Sequence, residues 1–68
     1  MVATDVPLLT DMNLNDCSLS TLDVSGCAMQ MNLLWAQNNV PLKKITLKEG
    51  QTITDFRYDT DNVTLEYK

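Results

Sequence analysis

One spacing constrains this chain more than any other feature: apolar, two variable, apolar, one variable, apolar. It occurs at Leu9/Met12/Leu14, Leu19/Leu22/Val24, Met31/Leu34/Ala36, Leu42/Ile45/Leu47 and Ile53/Phe56/Tyr58. The starting positions 9, 19, 31, 42 and 53 advance by 10, 12, 11 and 11, so two steps amount to about 22 residues along the whole chain. This is not helical periodicity, which would return apolar residues at i, i+3, i+4 and i+7. Asn, Asp, Ser and Thr crowd the region from Thr10 to Ser25, and these side chains compete with helical backbone bonds.

A short strand turns alternate side chains to opposite faces, and an apolar residue shortly before it enters the same core from the preceding bend. One such segment cannot bury its own apolar face. Stacking units of about 22 residues solves this, because each unit lays its strands parallel to those of its neighbour and extends one core. Three residues after the last apolar position of each segment stand Cys17, Cys27, Asn39, Gly50 and Asp61. A small or amide-bearing side chain at such a bend fits under the turn, and an Asn there can bond otherwise unpaired backbone groups.

The segment Leu9-Thr-Asp-Met12-Asn-Leu14-Asn-Asp-Cys17-Ser-Leu19 resembles the leucine-rich repeat consensus L-x-x-L-x-L-x-x-N/C-x-L, with Met as one substitution. Leu22-Asp23-Val24-Ser25-Gly26-Cys27 is similar to a half-repeat of surface leucine-rich repeat proteins from Bacteroides-type gut bacteria, and Leu34-Trp35-Ala36-Gln37-Asn38-Asn39 to their alternate half-repeat. The stretch from Leu42 to Phe56 is similar to the way such arrays end. Pro41, standing where an apolar residue is expected, and Gly50 and Asp61 at the bend depart from the pattern.

The resemblance implies a mainly β leucine-rich repeat solenoid of about two coils with a C-terminal capping strand. Residues 1–8 would be a lead-in, 9–58 the coils, and 59–68 a turn followed by the capping strand Val63/Leu65/Tyr67. It also implies an extracellular or cell-surface setting and a recognition or adhesion role on a protein or glycan ligand. The rival reading is a structural end-cap, or a self-assembling fragment of a longer array.

In the odd-numbered segments the outward strand positions are Asp11, Asn13 and Asn15, then Leu33, Trp35 and Gln37, then Asp55, Arg57 and Asp59. In the even-numbered segments they are Thr21, Asp23 and Ser25, then Lys44, Thr46 and Lys48. By the family's logic the first set lines the concave recognition face. Its candidate binding residues are Trp35, Arg57, Asn13, Asn15, Gln37, Asp11 and Asp55. Trp35, the one tryptophan, would point outward between Asn13 and Arg57, and Trp and Arg dominate interface hot spots. Simple surface cover and self-association are the other readings of the same residue. Arrays of this kind generally need at least three units, so the N-terminal edge from Leu8 to Leu14 is expected to self-associate.

Composition excludes more than it names. The chain has no histidine, which removes the commonest general base and zinc ligand, and two cysteines alone cannot complete a structural zinc site. No catalytic residue, metal or cofactor is expected. A net charge of −4 lacks the footprint of a nucleic-acid binder. From Met1 to Pro41 the charged residues are Asp5, Asp11, Asp16 and Asp23, while all five basic residues lie beyond. The first eight residues do not read as a signal peptide, and no apolar run approaches the ~18 residues of a membrane span.

Cys17 and Cys27 fall on successive half-units facing opposite sheets; they read as core filling, with a disulfide or a reactive thiol as alternatives. Asp59-Thr60-Asp61-Asn62 reads as a solvated turn in preference to a calcium loop, because the Gly such a loop needs is absent. Asn62-Val63-Thr64 matches the glycosylation acceptor pattern and carries no assigned role.

Overall fold

The structure, a computed structural model, describes residues 6–68; residues 1–5 of the expected lead-in lie outside the described residues. Six strands follow in order: β1 (Asp11–Asn13), β2 (Leu22–Asp23), β3 (Gln30–Ala36), β4 (Lys44–Leu47), β5 (Thr52–Tyr58) and β6 (Thr64–Tyr67). The odd strands form one three-stranded sheet, β1-β3-β5, and the even strands another, β2-β4-β6. Every pairing is parallel. The period of the sequence reappears as register: Met12 lies beside Leu34 and Leu34 beside Phe56, while Leu22 lies beside Ile45 and Ile45 beside Leu65.

The fold is therefore a small mainly β domain of two parallel sheets, and it corrects the expectation of a leucine-rich repeat solenoid. Neither sheet is curled or closed. Curvature in a stacked array accumulates from a small rotation at every repeat. Here the steps between successive segments are nearly equal, at 10, 12, 11 and 11 residues, so neither side of a unit is wider than the other. With only three short strands per sheet, there is also little length over which a bend could build. β6 pairs in parallel with β4 and is itself the edge of its sheet.

Met12, Leu22, Val24, Cys27, Met31, Leu34, Ala36, Leu42, Ile45, Leu47 and Val63 form the core between the sheets, with Leu14, Leu19, Ile53, Phe56, Tyr58 and Leu65 packed against it. Fourteen of the fifteen patterned residues thus lie in or against the core. Leu9 is the exception, 37% exposed, because among the described residues no further strand lies beyond β1 to cover it. The doubled variable position has a structural cause in β3. The consecutive amides of Asn32 and Leu33 both donate to Thr10 O, at 2.9 and 3.2 Å. The strict alternation breaks there like a bulge, and Met31 and Leu34 both reach the core.

Buried amides tie the bends together. The Asn39 side chain is enclosed, and its Oδ1 accepts from the Cys17 and Leu19 amides, both at 3.0 Å. Its Nδ2 donates to Leu14 O at 3.0 Å and Gln37 O at 3.2 Å. This is the service expected of an Asn at the bend. At the opposite bend the work falls to Gln51, one residue after the expected Gly50. Gln51 Nε2 donates to Val24 O and Ala28 O, both at 3.0 Å, and Oε1 accepts from the Lys48 amide at 2.9 Å. Gly50 serves the turn differently: its φ of +88° is a conformation that side-chain-bearing residues rarely adopt.

Candidate functional site

The outward face of β1-β3-β5 carries the residues singled out by the sequence. Register sets Asp11, Leu33 and Asp55 in one row across the sheet, and Asn13, Trp35 and Arg57 in the next. Neighbouring members of a row are about 4.8 Å apart, close enough for long side chains to meet.

Three of these residues form one contact group. The Arg57 guanidinium lies over the Trp35 ring, with its central carbon 4.6 Å from the ring centroid. Arg57 Nε donates to Asp55 Oδ1 at 3.0 Å. Both partners of that pair are substantially exposed, so it is worth only about 0–1 kcal/mol. The stacking adds about 0.5–1 kcal/mol at such a site. Trp35 itself is half-buried and lies against the sheet: its indole Nε1 is enclosed and has no hydrogen-bond partner. An enclosed donor left without an acceptor costs about 1–3 kcal/mol.

The remaining candidates serve their own turns. Asp11 Oδ1 accepts from Thr10 Oγ1 at 2.7 Å and from Asn32 Nδ2 at 3.4 Å. Asn13 Oδ1 accepts from the Asn15 amide at 3.2 Å, and Asn15 Oδ1 from the Gln37 amide at 2.8 Å. Just past the end of β5, Asp59 Oδ2 accepts from the Asn38 amide at 3.0 Å. Asn15 and Asp59 thus hold the same turn, at Gln37 and Asn38, from its two sides, and Asp16 and Asn38, 22 positions apart, share a φ of 59°. Gln37 enters these ties through its backbone. The Asp59–Asn62 segment is a turn, in which the Asn62 and Val63 amides donate to Asp59 O. Among the described residues no group of three or more acidic or cysteine side chains is placed to hold a metal, and no helix is long and apolar enough to cross a membrane.

The opposite face, on β2-β4-β6, is tied by charge. Lys68 Nζ reaches Asp23 Oδ2 at 2.8 Å, Lys44 Nζ lies 3.5 Å from Glu66 Oε2, and Thr46, set between Asp23 and Glu66 in register, is buried. Burial pushes the Asp23 carboxyl upward. The Lys68 ammonium and the Ser25 hydroxyl and amide outweigh that effect and hold it at about 2. This cluster escaped the sequence reading, since nothing in the spacing joins residues 23 and 68.

The two cysteines differ. Cys27 fills the core, its Sγ 3.9 Å from Met12 Sδ, and burial together with the nearby Asp23 charge pushes its thiol up. Cys17 is exposed, which corrects its assignment to the core; both are free thiols. Asn39 takes the space under that bend instead. Comparisons with family models, curated proteins and solved structures find no match to this chain, and none ties it to the leucine-rich repeat proteins.

Proposed function

We propose that this domain is a non-enzymatic recognition module that holds a protein or glycan partner against the outward face of β1-β3-β5. The observation that carries the reading is the Trp35–Arg57–Asp55 group, an aromatic ring on the central strand with a cation and a carboxylate on the edge strand beside it. Parallel strands hold such side chains on a fixed lattice, so little ordering entropy is lost on binding. The test is Trp35→Ala: partner binding should weaken by about 2 kcal/mol or more while the fold persists. A collapsed melt together with blue-shifted, quencher-protected emission from the wild-type tryptophan would instead make Trp35 part of the core.

A second reading is favoured by a different observation. Val6, Leu8 and Leu9 are 38%, 92% and 37% exposed beside the edge strand β1. An exposed apolar edge is a template for pairing, and self-association from Leu8 to Leu14 would cover it. Sedimentation of the wild type against Leu8→Glu tests this, and a wild type that stays monomeric at millimolar concentration counts against it.

A further inference from the structure

Given the recognition face proposed above, on which this step rests, we infer that its partner is an extended basic segment of another protein, whose Lys or Arg side chains take the place that Arg57 fills in the free domain. The two outward faces differ in charge. On β2-β4-β6 the acidic Asp23 and Glu66 are each matched by a lysine of the same face. On β1-β3-β5 three carboxylates, Asp11, Asp55 and Asp59, stand against the single guanidinium of Arg57. That face retains uncompensated negative charge around an aromatic ring, and the chain as a whole carries −4.

Arg57 shows what such a surface accepts. It lies over the Trp35 ring and gives its Nε to Asp55, the two contacts that an incoming guanidinium or ammonium would make. Both contacts are exposed and weak, so a partner cation can replace it. The Trp35 indole N–H has no acceptor, so no hydrogen bond anchors the ring against following a new cation. Asp55 on β5 and Asp59 just past its end are four residues apart, a span of about 13 Å if the chain stays extended. An extended peptide with basic residues at i and i+4 matches that interval. An acidic partner would meet the three carboxylates and be repelled. A neutral glycan would have to dislodge Arg57 with no charge to replace it.

The experiment titrates the chain with an unstructured peptide of alternating Arg and Gly, following the emission of the one tryptophan and mapping amide shifts. The counterpart of alternating Glu and Gly and an uncharged oligosaccharide are run beside it. The Arg-Gly peptide should perturb Trp35 and confine its shifts to β1, β3 and β5. Asp55→Asn should weaken its binding about 3-fold, and Arg57→Gln should strengthen it by a similar factor, sizes appropriate to exposed charge contacts. Weaker binding on Arg57→Gln, or shifts centred on Lys44, Glu66 and Lys68, would overturn the inference. If the acidic or uncharged probe engages Trp35 and the basic one does not, the face stands and its basic partner falls. If Trp35→Ala, folded by its melt, binds the Arg-Gly peptide as tightly as wild type, the face itself is wrong.

Discussion

The two sheets are alike inside and unlike outside. Each presents a column of apolar residues to the common core, Met12–Leu34–Phe56 on one side and Leu22–Ile45–Leu65 on the other. On its outer face β2-β4-β6 is laced by ion pairs and carries a buried threonine, whereas β1-β3-β5 carries a half-buried tryptophan under a loosely held arginine. The same periodic backbone thus supports one face whose charges are consumed within the fold and one whose charges are left over. Inner positions are constrained by packing and are interchangeable between sheets. Outer positions are free to diverge.

The largest expected effects test the inner equivalence. Leu34→Ala and Ile45→Ala each remove a fully buried side chain, at a cost of about 2–5 kcal/mol. A domain of this length holds roughly 3–10 kcal/mol in all. Both variants should therefore lose most of their cooperative melt in circular dichroism, and a mild outcome for only one would show that the sheets do not share the core equally. Asn39→Ala should cost about 3 kcal/mol, because it strands two partly buried amides and two carbonyls. Gln51→Ala strands three such groups and should fall slightly short of it in urea titrations.

Smaller effects probe the outer contrast. Trp35→Ala should lower stability by only about 1 kcal/mol, since the ring is partly exposed and sheds an unsatisfied donor. A loss as large as that of Leu34→Ala would erase the distinction between inner and outer positions. Acid should act on the other face. The Asp23 carboxyl sits at about 2 in the fold against 3.8 for its ordinary value, so its contribution is complete above about pH 4 and is lost as pH falls toward 2. With Lys68 more than half exposed, that contribution is about 1 kcal/mol. Asp23→Asn should be less stable than wild type at pH 6, and the gap should close by pH 2. Lys44→Ala, breaking an exposed pair, should cost only a few tenths of a kcal/mol and vanish in molar salt.

The spacing at Leu9, Leu19, Met31, Leu42 and Ile53 made the parallel neighbours and core columns legible, because one-sided burial leaves period and register little freedom. The row Asn13–Trp35–Arg57 followed from the same period. Curl did not follow, since a consensus match carries no information on the rotation between units. Gln51 was missed because it stands one residue past the regular bend position and reaches back with a longer side chain. Cys17 was misplaced because Asn39 already occupies the space beneath its turn. The Asp23–Lys68 pair joins residues that only the finished sheet brings together.

The all-parallel pairing has a kinetic consequence. Each strand bonds to one that lies 20 to 23 residues away in the chain, and there is no hairpin among the described strands. No short piece can therefore form early and serve as a template for the rest. Paired residues thus stand about a third of the chain apart, and long-range pairings of this kind must close long loops before their contacts form. For all its small size, this domain should fold slowly, and it should do so only after long loops have closed nearly at once.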